Sequence, residues 1–202
     1  FIFFALEAAI MAVALQMYLD ISIGWCYVIS ALVIIPMVVR GIRLMSKLQM
    51  WTQPVWGVLL LLPYLAIAWK NPHAFSDFAG LTGRISGSSG FDPLMFGAAA
   101  TVAFSLVVQV GEQVDFLRFL PERTAENRRR WWAAVLMAGP GWIIPGMLKM
   151  LGGAFLAFLV LQSELPVQKA VDPTQMYLAG YAYVFDDPQW VLAATVLFVL
   201  VS

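Results

Sequence analysis

A glutamate lies inside the apolar stretch at the start of the sequence. Glu7 follows Phe3 by four residues and precedes Ile10 by three, so these side chains share one face of a helix. A carboxylate within a membrane-spanning helix is costly and normally faces a bundle interior or a hydrated cavity. An aromatic ring one turn from an acceptor offers a flat ligand a π face and an oxygen for its N–H groups. Two interpretations follow: Glu7 contacts a ligand, or it accepts a hydrogen bond from a helix outside this sequence.

A second polar cluster, GEQVDFLRF, follows the apolar stretch that begins at Pro93. Glu112, Asp115 and Arg118 recur every three residues and therefore share a helical face. Because about 20 apolar residues cross a bilayer, Asp115 and Arg118 are expected at the inner boundary, where their ion pair closes that end. Gln109 and Glu112 lie deeper and are predicted to line a pathway.

The elements that position these residues are predicted to be membrane helices. The 202 residues are 61% hydrophobic and only 12% charged, with a mean hydropathy of +0.81. Since one small core cannot bury so much apolar surface, the composition indicates an integral membrane protein. Lys+Arg and Asp+Glu number 12 each, so no basic field favours nucleic acid as a partner.

Charged clusters divide the sequence into five predicted spans and the start of a sixth. Their apolar runs are continuous, which favours helices over a β-barrel. The runs are 1–18, 24–39, 50–69, 93–114, 131–161 and 189–202. The fifth is too long for one straight span, and Pro140 and Pro145 with the neighbouring glycines predict a kink or break there. Because the sixth run is too short to cross a bilayer, we expect a fragment of a longer polytopic protein.

Basic residues are distributed unevenly between the two sides of these spans. Three lie in the turn 40–47 and five in the turn 118–130, against Lys70, Arg84 and Lys169 on the opposite side. The positive-inside rule therefore places the turns 40–47 and 118–130 in the cytoplasm of a multi-pass protein of the plasma (inner) membrane. Asp186 and Asp187, directly before Pro188, are predicted to begin the last helix.

No signature of covalent or metal chemistry occurs in the sequence. His73 stands alone, Cys26 is the single cysteine, and Walker, HExxH and GxSxG motifs are absent. We expect no catalytic residue, metal or resident cofactor, and a membrane enzyme or channel is the least favoured class.

Three segments of the sequence resemble the nucleobase–cation symporter family, which includes cytosine, purine, allantoin and hydantoin permeases. Asp115, Arg118 and Phe119 match the Asp-x-x-Arg-aromatic motif of the family's sixth helix, with Glu112 in place of an Asn. The stretch 40–69, RGIRLMSKLQMWTQPVWGVLLLLPYLAIAW, is similar to the passage between the family's fourth and fifth helices. FFALEAA, residues 3–9, is similar to the third-helix segment that carries a stacking aromatic and, four residues on, a polar amide.

The resemblance implies an all-α polytopic membrane protein with part of an inverted-repeat (five-plus-five helix) transporter fold, about helices three to eight. Residues 1–70 would end the first repeat, 71–91 would form an external connector, and 92–202 would begin the second repeat. The activity it implies is cation-coupled uptake of a small nucleobase-like heterocycle by alternating access. The cation, Na⁺ or H⁺, stays open because the family's ion site joins its first and eighth helices.

The resemblance also implies roles for particular side chains. Phe3 and Phe104 would stack on the substrate, with Leu106 at the family's second aromatic position, while Glu7 and Gln109 would be its polar contacts. Glu7 stands where the family often has Gln, which favours a donor-rich or cationic ligand, or a carboxyl group that itself carries a proton.

A second class of protein stays open at this point. A transporter-like membrane module that is fused to, or associated with, a cytoplasmic histidine-kinase domain would act as a sensor rather than a transporter. The sequence after Ser202 separates the two classes, because kinase motifs favour sensing and four further spans favour transport.

Overall fold

Helices account for most of the chain. The computed structural model describes residues 2–81, 90–105, 117–139, 141, 143–163 and 166–202, and these residues contain no strand. The helices are α1 (Ile2–Leu19), α2 (Ile23–Val39), α3 (Ile42–Lys70), α4 (His73–Ala79), α5 (Pro93–Ser105), α6 (Arg128–Ala138), α7 (Ile143–Gln162), α8 (Pro173–Tyr181) and α9 (Pro188–Val201), with a 3-10 turn at Val167–Val171. The predicted all-α class is confirmed.

Within the described ranges, two stretches are long and apolar enough to cross a membrane. They are Ser46–Lys70, within α3, and Arg128–Gln162, which covers α6 and α7. A third crossing results if α1 and α2 are counted together. Ala5–Leu19 and Ile23–Pro36 are long and apolar enough only as a pair, and the chain bends by 119° between them. These two or three helices are consistent with a membrane protein.

The remaining predicted spans are shorter in the structure. α9 is an apolar helix of 14 residues, about 21 Å long at 1.5 Å per residue, against a hydrocarbon core of about 30 Å. The predicted span 93–114 begins as α5, and its continuation after Ser105 lies outside the described residues. The sequence predicts five spans and a partial sixth, whereas the described residues contain two or three helices long and apolar enough to cross a membrane.

The predicted break in the fifth apolar run is confirmed. α6 ends at Ala138 and α7 begins at Ile143. A Cβ atom added to Gly139 would lie 2.7 Å from the carbonyl oxygen of Val135, so a larger side chain does not fit where α6 ends. Pro145 belongs to the first turn of α7, where a missing N–H removes no helical hydrogen bond. Pro140 lies outside the described residues.

The chain divides into two compact units. The first contains Phe1–Ala79 and Gly153–Ser202, and the second contains Gly80–Gly152. In the first unit α1 packs against α2, α8 and α9, while α3 packs against α2, α4, α8 and α9. The family resemblance instead divides the chain into two repeats, 1–70 and 92–202, with a connector between them. These repeats are not the two compact units, and they stay a prediction.

Two apolar clusters form the core of the first unit. One joins α1, α8 and α9 through Ala14, Tyr181, Val191, Ala194, Val196, Phe198 and Val199. The other joins α3, α4 and α7 through Ile67, Ala74, Phe155, Leu156, Phe158 and Leu159. In the second cluster Phe75 stacks on Phe155, with ring centroids 4.5 Å apart. The short helix α4 therefore has a packing role, although the sequence analysis treated its residues as part of an external connector.

A proline in α3 is matched by a tyrosine of α8. Pro63 has no N–H, so the carbonyl of Leu59, four residues earlier, loses its helical donor. The hydroxyl of Tyr181 donates to that carbonyl at 2.8 Å. Gly180 permits the close approach, because a Cβ at this position would lie 3.1 Å from Pro63 Cβ. The contact satisfies a backbone acceptor that membrane or core could not hydrate.

Aspartates begin α8 and α9, each directly before a proline. Asp172 accepts a hydrogen bond from the N–H of Thr174 at 2.9 Å, and Asp187 accepts one from the N–H of Gln189 at 2.8 Å. The prediction that an aspartate begins the last helix is thus confirmed for Asp187. Its neighbour Asp186 instead lies 3.5 Å from Lys70 Nζ at an exposed position.

Candidate functional site

The candidate site begins on α1, which carries Glu7 close to its N-terminus. The Glu7 side chain is exposed, and among the described residues no basic group lies within ion-pair distance of it. Phe3 lies one turn earlier on the same helix, and its side chain lies outside the description. The structure therefore places the two residues at the spacing that the sequence predicts.

The face of α1 that carries Glu7 is the face that packs on the first apolar cluster. Ile10 and Met11, one turn after Glu7, pack against that cluster, and Ala14, two turns after it, is fully buried within it. Residues three, four and seven apart share one side of a helix. Glu7 thus lies on the packing face of α1, one turn before its first contacts with the cluster. At this position the side chain is exposed.

The second group of predicted site residues belongs to the second unit. Phe104 lies near the end of α5, and 72% of its surface is exposed. Leu106, Gln109, Glu112 and Asp115 lie outside the described residues. The stacking role of Phe104 and the predicted pathway accordingly stay predictions.

Arg118 is described although its predicted partner Asp115 is not. Its guanidinium carbon lies 5.0 Å from the ring centroid of Phe119, which is within the range of a cation–π contact. The residue is exposed. Its predicted ion pair at the inner end of the fourth span stays a prediction.

Three tyrosines of the first unit, which no pattern in the sequence singled out, lie in or against its apolar clusters. Tyr64 of α3 and Tyr177 of α8 both pack against the second apolar cluster, and Tyr177 also lies against Phe198, with ring centroids 4.0 Å apart. Burial raises the pKa of Tyr181, so its hydroxyl keeps the proton that it donates to Leu59. Only Pro63 gave a signal in the sequence, because a proline inside a helix leaves a carbonyl in need of a donor.

Metal-ligating groups do not converge in the part of the chain that the structure describes, since no three His, Cys, Asp or Glu side chains come together there. His73 lies at the exposed start of α4, and Cys26 is buried in α2.

No protein-family model matches the chain, and no curated protein or solved structure matches it. Over the residues that the structure describes, the sequence and the fold define an all-helical protein with two or three helices long and apolar enough to cross a membrane.

Proposed function

We propose that the chain is the segment of a secondary transporter that carries a nucleobase-like heterocycle across the membrane by alternating access. In this proposal Phe3 and Phe104 stack on the heterocycle, and Glu7 and Gln109 accept and donate its hydrogen bonds. Asp115 and Arg118 hold the inner end of the pathway closed. The family resemblance implies that the substrate binds between two inverted repeats.

The position of Glu7 is the observation that carries the proposal. The carboxylate lies on the packing face of an apolar helix, one turn before Ile10, and no basic side chain pairs with it among the described residues. A charged group on an apolar helix is disfavoured by about 2.5–3.5 kcal/mol at the centre of a bilayer. A ligand with two adjacent N–H donors would offset much of that cost through charge-assisted hydrogen bonds.

The interrupted helices support the same proposal. α6 and α7 follow one another across the break at Gly139, and α8 and α9 are short helices joined through Asp187. Secondary transporters use discontinuous helices of this kind to expose backbone groups and to permit motion around a fixed site.

A ligand-binding screen on the purified full-length protein tests the proposal. We expect purines, pyrimidines or related heterocycles to raise its thermal unfolding temperature, and Glu7→Ala to weaken the binding of the best ligand about 10- to 100-fold, the effect of losing charge-assisted hydrogen bonds. Asp77→Ala, which removes an exposed carboxylate from α4, is the matched control and should leave binding unchanged. Equal binding by the wild type and Glu7→Ala for every heterocycle would remove Glu7 from the site.

A further inference from the structure

An exposed cluster of arginines and tryptophans lies in the second unit. It comprises Arg123, Arg128, Arg129, Arg130, Trp131 and Trp132, which we call the Arg–Trp patch. All four arginines are exposed, and Trp132 exposes 44% of its surface. The segment 122–132 contains these four arginines with Glu122 and Glu126, which gives it a formal charge of +2. The patch thus combines a local positive charge with exposed indole surface, in a chain whose net charge is zero.

Hydrogen bonds hold the loop of the patch against the start of α6. The Asn127 side chain accepts from the N–H of Thr124 and donates to the carbonyl of Glu122, both at 2.8 Å. The indole N–H of Trp131 donates to the carbonyl of Pro121 at 3.0 Å. Arg123 lies 5.9 Å from the centroid of the Trp131 ring. The arginines are therefore presented from a fixed turn rather than from a random coil.

The charge of the patch is not balanced within the described residues. Arg128, Arg129 and Arg130 occupy the first turn of α6, which contains no acidic residue. Three cations there are repelled by the positive end of the helix dipole. Neither Glu122 nor Glu126 forms an ion pair with them, as judged from the residues that the structure describes. An external anion would offset this repulsion.

The location of the patch in the chain indicates which external anion it binds. The three arginines begin the stretch Arg128–Gln162, which is long and apolar enough to cross a membrane. The patch therefore lies at the N-terminal end of that stretch, and the positive-inside rule predicts basic residues at such an end, beside the lipid phosphates. Trp131 and Trp132, with ring centroids 5.3 Å apart, follow directly, and tryptophans are enriched at this interface.

We propose that the Arg–Trp patch binds the headgroups of anionic phospholipids, such as phosphatidylglycerol, in the membrane that surrounds the protein. The planar guanidinium donates two parallel hydrogen bonds to a phosphate, and basic clusters beside membrane helices attract anionic lipids. The inference depends on the membrane location of the chain and is independent of the transport proposal.

Spin-labelled lipids test the inference in the intact protein. The full-length protein is reconstituted in phosphatidylcholine bilayers that contain a trace of chain-labelled phosphatidylglycerol or phosphatidylcholine, and electron paramagnetic resonance gives the motionally restricted fraction of each. We expect the association constant of phosphatidylglycerol to exceed that of phosphatidylcholine about two- to fivefold at low salt and to fall towards it in 1 M NaCl.

Charge-matched variants assign the preference to the patch. The triple variant Arg128→Gln, Arg129→Gln, Arg130→Gln should lose at least half of the preference. The control Arg40→Gln, Lys47→Gln, Lys169→Gln also removes three exposed positive charges and should retain it. Because the first variant could fail to fold, the triple replacement by lysine serves as a second test and should keep a salt-sensitive preference, since the charge remains.

Three results would overturn the inference. The first is equal restriction of both lipids by the wild type. The second is an equal loss of preference in the patch variant and its control. The third is RNA binding by the purified protein that depends on the three arginines without any preference for phosphatidylglycerol, which would assign the patch to nucleic acid.

Discussion

At the scale of single residues, one phenol hydroxyl joins two helices that are distant in the sequence. Tyr181 donates to the carbonyl of Leu59, 122 residues earlier, because Pro63 supplies no N–H to it. We predict that Tyr181→Phe lowers the free energy of unfolding by about 1–3 kcal/mol, the cost of a buried acceptor without a donor. Thermal unfolding of the purified protein in detergent measures it. Tyr183→Phe, whose hydroxyl has no recorded partner among the described residues, should have little effect.

Restoring the missing donor distinguishes this contact from general packing. In the variant Pro63→Ala, residue 63 regains an N–H that can reach Leu59 within α3. Combined with Tyr181→Phe, it should therefore recover part of the lost stability, and the two substitutions should not be additive. Additive effects would show that the hydroxyl of Tyr181 does not compensate for the proline.

Ser30 presents the opposite case. Its hydroxyl is buried in α2 and has no hydrogen-bond partner in the part of the chain that the structure describes. Since such a group loses its water without gaining a partner, Ser30→Ala is predicted to raise the unfolding temperature. Ser46→Ala, at an exposed position of α3, is the control with no expected change. A lower unfolding temperature for Ser30→Ala would mean that its hydroxyl has a hydrogen-bond partner in the folded protein.

At the scale of helices, adjacent aspartates before Pro188 differ in their roles. Asp187 accepts the hydrogen bond that begins α9, whereas Asp186 is 98% exposed beside Lys70. We predict that Asp187→Ala costs about 0.5–2 kcal/mol of stability, the range for a lost N-terminal cap. Asp186→Ala should cost clearly less, because exposed ion pairs contribute little. Denaturation in sodium dodecyl sulfate, followed by circular dichroism, compares the two, and an equal or reversed ranking would contradict the assigned roles.

Helix boundaries were predictable where the signal is local. Asp187 with Pro188 marks the start of α9, and the glycines around Gly139 mark the break between α6 and α7. Contacts over long distances left no local signal, so the hydrogen bond between Tyr181 and Leu59 was not anticipated. The packing of α4 was missed for a similar reason, since seven residues in a polar segment carry too short a pattern to show which face is buried.

The candidate site was predictable only in part. The spacing of Phe3 and Glu7 on one helix follows from the sequence, and the structure adds that Ile10 and Ala14 continue the face of Glu7 into the core. Whether Phe104 and Gln109 approach Glu7 depends on contacts between distant segments, which periodicity along one helix does not encode. The nature of the site therefore stays a proposal.

At the scale of the whole molecule, the distribution of basic residues predicts an orientation in the membrane. Cys26, the single cysteine, is buried, so a Cys26→Ser background permits labelling of introduced cysteines. We predict that a membrane-impermeant maleimide labels Lys47→Cys and Arg123→Cys only from the cytoplasmic side, and Ser76→Cys and Asp186→Cys only from the opposite side. Labelling of Lys47→Cys and Asp186→Cys from the same side would contradict the predicted topology.

Uptake into proteoliposomes tests the central claim, that an apolar helix holds a carboxylate because it meets a transported heterocycle. The full-length protein is reconstituted, and entry of each radiolabelled heterocycle that binds it is followed over time. The account predicts saturable uptake that Glu7→Ala reduces at least about tenfold and Asp77→Ala leaves unchanged. Uptake that is unaffected by Glu7→Ala, or binding of a heterocycle without any uptake, would contradict it.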